Sequence, residues 1–220
     1  MKHRLFLATY GGFGAALAVM SLGSGRPGLL RLPLTLSFIL VSGLRAAFNF
    51  PSELHANWAF QVSETNHAAE CLEAMRKWIV VCGILPLFAL LAPLELIWFP
   101  WREAAFHLAY GIALSLLLME IMFLGFRKVP FTCAYFPGKI NLVFLSVVYI
   151  YGFTTYSNTM SGLEKWLNGA PVAAMAFFAV TAGALVTVAL RRRARAGPAN
   201  TLDFEDAGDP TVRTLELTPQ

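Results

Sequence analysis

The chain returns again and again to apolar runs long enough to cross a bilayer, and no other feature constrains its fold as strongly. A hydrocarbon core about 30 Å thick takes roughly 17 to 25 apolar residues of helix. Six stretches qualify, at about 5–22, 29–48, 78–99, 104–126, 140–157 and 170–190. Runs such as Ile79 to Leu94 lack the alternation of a barrel strand, so the pattern predicts an all-α, polytopic helical membrane protein. Composition agrees, because 57% hydrophobic and 14% charged residues leave too little polar surface for a soluble globule. The spans fill more than half of the chain, which makes 1–195 a single transmembrane helical domain. Residues 196–220, with Gly, Pro and acidic residues but no apolar periodicity, read as a disordered cytoplasmic tail.

Basic residues set the orientation, since they collect on the cytoplasmic side of short loops. With the N-terminus inside, that side receives Lys2, Arg4, Arg45, Arg76, Lys77, Arg127, Lys128, Lys139, Arg191, Arg192, Arg193, Arg195 and Arg213, thirteen in all. The other side receives four: Arg26, Arg31, Arg102 and Lys165. The expectation is N-in/C-in. Lys2 and Arg4, the first apolar run and the small residues Ser21 and Gly23 also outline a signal peptide, whose removal would leave five spans in the same orientation. Against cleavage, Gly11, Gly12 and Gly14 with Ala15, Ala16 and Ala18 have the small-residue spacing of a packed helix.

The net charge of +4 is concentrated in Arg191 to Arg195 beside an apolar run, which is a membrane flank and gives no reason to expect a nucleic-acid partner. Three cysteines, Cys71, Cys82 and Cys133, have no paired spacing and read as free thiols. Residues 23–28 and 100–103 are expected as tight outer turns, the second flanked by Trp98 and Trp101 at interfacial depth, and 158–169 as a longer outer loop.

Two cytoplasmic segments hold most of the unusual residues. In Phe50 to Trp78, Pro51 and Ser52 end the second span and start a helix on which Leu54 and Trp58 share a face. That pattern predicts an interfacial amphipathic helix between spans two and three, with His55 and Asn57 as candidate binding residues. Further on, Asn66 is placed to cap a helix entering span three, where Glu73 and Lys77 stand at i,i+4. The second segment, 127–139, joins two prolines and a glycine to Phe131, Tyr135 and Phe136, and belongs at the interface or in a groove between helices.

FPSELHANWAF and PFTCAYFPG resemble stretches in the C-terminal part of longer, uncharacterised bacterial multi-pass membrane proteins of a permease-like kind. The resemblance implies a multi-pass protein of the bacterial inner membrane, shorter than its relatives and half of a larger assembly. It carries no function onto any residue.

Ionisable residues within spans are the leading functional candidates, because a charge at the bilayer centre costs at least about 2.5–3.5 kcal/mol. Glu120 lies about 9 Å inside the cytoplasmic end of span four, too deep for a short side chain to reach headgroups. It reads either as a proton- or cation-binding carboxylate or as a structural one paired with Arg45, whose long stem reaches inward. Glu95 falls nearer the outer surface, with Arg31, Arg102, Glu103 and His107 at similar depth, and an outer charge cluster is expected. In span three, Pro86 and Pro93 fall on roughly one face, and proline either kinks a helix or frees carbonyls to line a cavity.

No metal is expected, since the separations of His55, His67 and Cys133 match no zinc motif, and no cofactor signature is present. HExxH, GxSxG and P-loop patterns are also missing, which favours a protein that is not an enzyme. Three readings follow. The first is a transport or permease-type subunit of unknown substrate. The second is a non-catalytic membrane-embedded partner or scaffold, joined to another membrane protein or to copies of itself. The third is an intramembrane enzyme acting on a lipid or other membrane-borne substrate. Membrane lipids are partners in all three.

Overall fold

The computed structural model describes residues 2–48, 68–124 and 142–195, all of them helical or in short turns. The helices are α1 (Lys2–Gly23), α2 (Arg26–Ala47), α3 (Ala68–Ile79), α4 (Leu85–Trp98), α5 (Trp101–Met122), α6 (Leu142–Asn168) and α7 (Pro171–Arg195). A π-helical turn, Val80–Ile84, joins α3 to α4 without a break. The interfacial helix with His55 and Asn57, the 127–139 segment and the 196–220 tail lie outside the described residues.

Four stretches among the described residues are long and apolar enough to cross a membrane: Arg26–Ala47, Leu72–Trp98, Trp101–Met122 and Pro171–Arg192. Helix α1 adds a shorter apolar stretch, Ala8–Gly23. The bundle exposes large apolar side chains and buries several polar ones. Leu90, Ile97 and Val172 stand 75%, 79% and 75% exposed on its surface, while Ser37, Ser115, Glu95, His107 and Glu120 are buried. Apolar surroundings reward this arrangement and water does not.

Helix α2 is the centre. It packs against α1, α4, α5 and α6, and α5 in turn packs against α4, α6 and α7. The main core joins Phe38 and Val41 of α2 to Ile79, Phe88, Met119 and Phe153 from the surrounding elements. Close approach depends on Gly111 of α5, where a methyl group would lie 2.6 Å from the ring of Phe88 and force that buried ring to shift. Hydroxyls in this interior bond back to their own helices, as Ser115 Oγ does to the Gly111 carbonyl at 2.6 Å.

Two connections are as tight as their sequences suggest. Ser24 and Gly25 turn α1 into α2, with Gly25 at φ +69, a conformation that side chains disfavour. Pro100 then caps the start of α5 directly after α4, and it stands where a missing N–H costs nothing.

The described residues correct one sequence expectation and refine two others. Residues 158–168 are not a loop: α6 runs on to Asn168. Its buried side carries Phe153, Ser157, Ser161, Glu164 and Leu167, a helical period that outweighs the roughly 1 kcal/mol cost of Gly162. Pro86 and Pro93 face outward, and of the two readings of these prolines the disturbed helix is the one seen at Pro86. Proline at 86 cannot donate to the Cys82 carbonyl, and the turn before it widens so that the Leu85 N–H bonds to Val80, five residues back. Of the small residues in α1, Gly14 meets Ile39 of α2 at 3.5 Å, but Gly11 and Gly12 face away from the bundle.

Candidate functional site

The turn end of the bundle, where α1 meets α2 and α4 meets α5, buries three ionisable side chains in one row. Glu95 comes from the last turn of α4, His107 from the second turn of α5 and Glu164 from the last turn of α6. They are 3%, 2% and 4% exposed. His107 Nδ1 bonds to Glu164 Oε1, and Nε2 lies 3.5 Å from Glu95 Oε1. The imidazole is therefore held between two carboxylates.

Each helix supplies its member for a local reason. The extended Phe99 closes α4 just after Glu95, whose carbonyl receives the Phe99 N–H at 2.8 Å. On α5, His107, Tyr110, Gly111 and Leu114 form one buried stripe at helical spacing. On α6, Ser157 and Glu164 continue the stripe opposite, with Thr35 of α2 meeting Ser157 at 3.4 Å and Tyr110 donating to the Met160 carbonyl at 2.9 Å. These bonds fix α6 in register beside α2 and α5.

The proton count of this row is constrained by hydrogen-bond chemistry. A neutral imidazole offers one donor and one acceptor, so it satisfies carboxylates on both sides only if the ring or one carboxylate carries an additional proton. Both Glu95 oxygens, Glu164 Oε2 and His107 Nε2 are buried without a hydrogen-bond partner. Unsatisfied groups of this kind are rare in interiors, and four of the seven such side-chain atoms among the described residues belong to this row. Among the described residues no group of three His, Cys, Asp or Glu is arranged to hold a metal ion.

The row opens onto a cavity of about 320 Å³ lined by His107 and Glu164 together with Arg26, Pro27, Leu30, Phe99, Glu103, Phe106, Lys165 and Asn168. Arg26 and Glu103 pair at 2.9 Å with 63% and 43% of their side chains exposed, and the guanidinium lies 5.2 Å from the centre of the Phe99 ring. So exposed a pair contributes little stability.

At the opposite end, Glu120 is buried between two arginines. Oε1 receives Arg192 at 3.0 Å and Oε2 lies 3.9 Å from Arg76 Nε. Arg45, expected as its partner, instead donates to the Met122 carbonyl, while Arg76 donates to the Phe123 carbonyl at 3.2 Å. Carbonyls at a helix C-terminus lack intrahelical donors and carry partial negative charge, so two cations at the end of α5 belong where they are. The expected i,i+4 pair of Glu73 and Lys77 forms at 3.1 Å on the surface.

The structure thus joins Glu95 and His107, keeps Glu120 and Arg45 apart from them, and leaves Arg31 and Arg102 outside the row, Arg102 lying over the Trp101 ring. Glu164 was missed by reasoning from the sequence. The 3.6-residue recurrence from Phe153 to Leu167 is the signal that could have found it. Comparison with known protein families, curated proteins and solved structures finds no match.

Proposed function

We propose that this chain is a transport or permease-type subunit of the bacterial inner membrane, with six spans and both ends in the cytoplasm. In this reading the Glu95–His107–Glu164 row takes up and releases a cation, a proton in the simplest case. The observation that carries it is the histidine clamped between two buried carboxylates at the base of a cavity. Stability alone gives no reason for such a row, because well-packed apolar side chains serve a core as well as or better than buried ions. The row also has what exchange requires, namely buried acceptors without donors and a path to the surface.

The topology includes α1 and α6 as spans, and the excess of basic residues supports a cytoplasmic side for the bundle end formed by α2, α3 and α5, which carries Arg45, Arg76 and Glu120. Tags at either terminus should be reached by protease only after the membrane is opened. A C-terminal tag digested in intact spheroplasts would overturn the orientation.

The functional test is proton movement. Proteoliposomes holding a pH-sensitive dye and placed under a potassium diffusion potential should acidify faster than protein-free vesicles. The Glu95→Gln variant, which preserves side-chain size, should lose most of the difference. Wild-type vesicles no more permeable to protons than empty ones would sink the reading.

A further inference from the structure

The cavity changes sign along its depth. At its floor, Glu164 gives Oε1 to His107 while Oε2 is buried with no donor. The row sets two carboxylates against one imidazole, so with both carboxylates ionised it is one positive charge short even when the ring is cationic. At its mouth the sign reverses, for Lys165 is exposed beside Asn168 and forms no ion pair among the described residues. Arg26, the other cation there, is already engaged with Glu103. Between floor and mouth the walls include Leu30 and Phe106.

We infer that this cavity binds a small zwitterion bearing a primary ammonium, with its nitrogen on Glu164 Oε2 and its anionic oxygens at Lys165 and the Asn168 amide. A primary ammonium supplies the N–H that the orphaned oxygen lacks, and a quaternary one has none to give. Aromatic walls tolerate a cation, and about 320 Å³ suits a molecule of headgroup size. The same chemistry comes from two sources, a free solute or an ethanolamine lipid, because Phe99 and Glu103 of the lining stand next to Trp98 and Trp101, residues that favour headgroup depth. The inference rests on the reading of the row as a cation-exchanging centre.

The test uses the full chain in phosphatidylcholine nanodiscs, titrated by calorimetry with O-phosphoethanolamine and with phosphocholine. A parallel arm measures by native mass spectrometry whether phosphatidylethanolamine is retained over phosphatidylcholine. The ethanolamine form should bind at least about tenfold more tightly in one arm, and Glu164→Gln should remove that preference. Lys165→Met, an exposed substitution that spares the fold, should weaken binding of the ethanolamine form. Preference in the calorimetric arm identifies a soluble ligand, and preference in the lipid arm alone identifies the leaflet. Equal binding of ethanolamine and choline forms in both arms overturns the inference, as does binding that Lys165→Met leaves unchanged. Proton flux without ammonium preference would defeat this inference and leave the transport reading standing. Ammonium binding without flux would do the reverse.

Discussion

Replacing His107 with alanine should lower the stability of the bundle by about 3–5 kcal/mol, the usual cost of removing one partner from a buried charged set. The loss follows from what remains: Glu95 and Glu164, both buried, on either side of an emptied position with no cation between them. A compensating change should then recover much of it. With Glu95→Gln and Glu164→Gln added, no uncompensated charge is left, and the triple variant should be more stable than His107→Ala alone. Unfolding in mixed micelles, followed by helical circular dichroism, reads the difference. A single variant within about 0.5 kcal/mol of wild type, the usual range for surface substitutions, would mean that the imidazole does not hold the two carboxylates.

Glu95 and His107 could be brought together from the sequence because depth along a span is readable from residue count. They lie on consecutive helices joined by a turn too short to permit any arrangement but antiparallel neighbours. Glu164 was hidden by its company. Asn158, Gly162 and Asn168 are loop-forming residues, and the buried face of α6 at this level carries Ser157 and Ser161 where a search for apolar periodicity expects leucine. A polar stripe facing a polar site looks, in sequence, like a stripe facing water. The widened turn at Val80–Ile84 was also legible in kind, since proline at 86 had to disturb the helix, although the side on which Pro86 and Pro93 would fall depends on packing against α2 and α5.

Helix α5 carries both polar centres. His107 and Glu120 are thirteen residues apart, about 20 Å along the axis, and the buried residues between them include Tyr110, Leu114 and Leu118. The two centres do not share a cavity: the one beside His107 is lined by residues of the turn end only. Glu120 therefore serves α5 at its own end, where it ties α7 through Arg192 and α3 through Arg76.

Depth alone cannot choose among arginines at the same level, which is why Arg45 was a reasonable partner for Glu120 and Arg76 and Arg192 are the ones found. Double-mutant cycles separate the two assignments. Glu120→Gln should cost about 2–3 kcal/mol, less than a fully buried pair because Arg192 reaches water, and it leaves the buried Nε of Arg76 without a counter-charge. Adding Arg76→Met should restore part of this, since the pair then departs together, and the restored part is smaller than the loss because Arg76 also caps the Phe123 carbonyl. Adding Arg45→Met should restore nothing and cost more, because its contact is with the Met122 carbonyl and not with the carboxylate. A cycle in which Glu120 couples to Arg45 and not to Arg76 would require α2, not α3, to face the carboxylate. The arrangement of this end of the bundle would then be wrong, whatever the fate of the histidine row at the other.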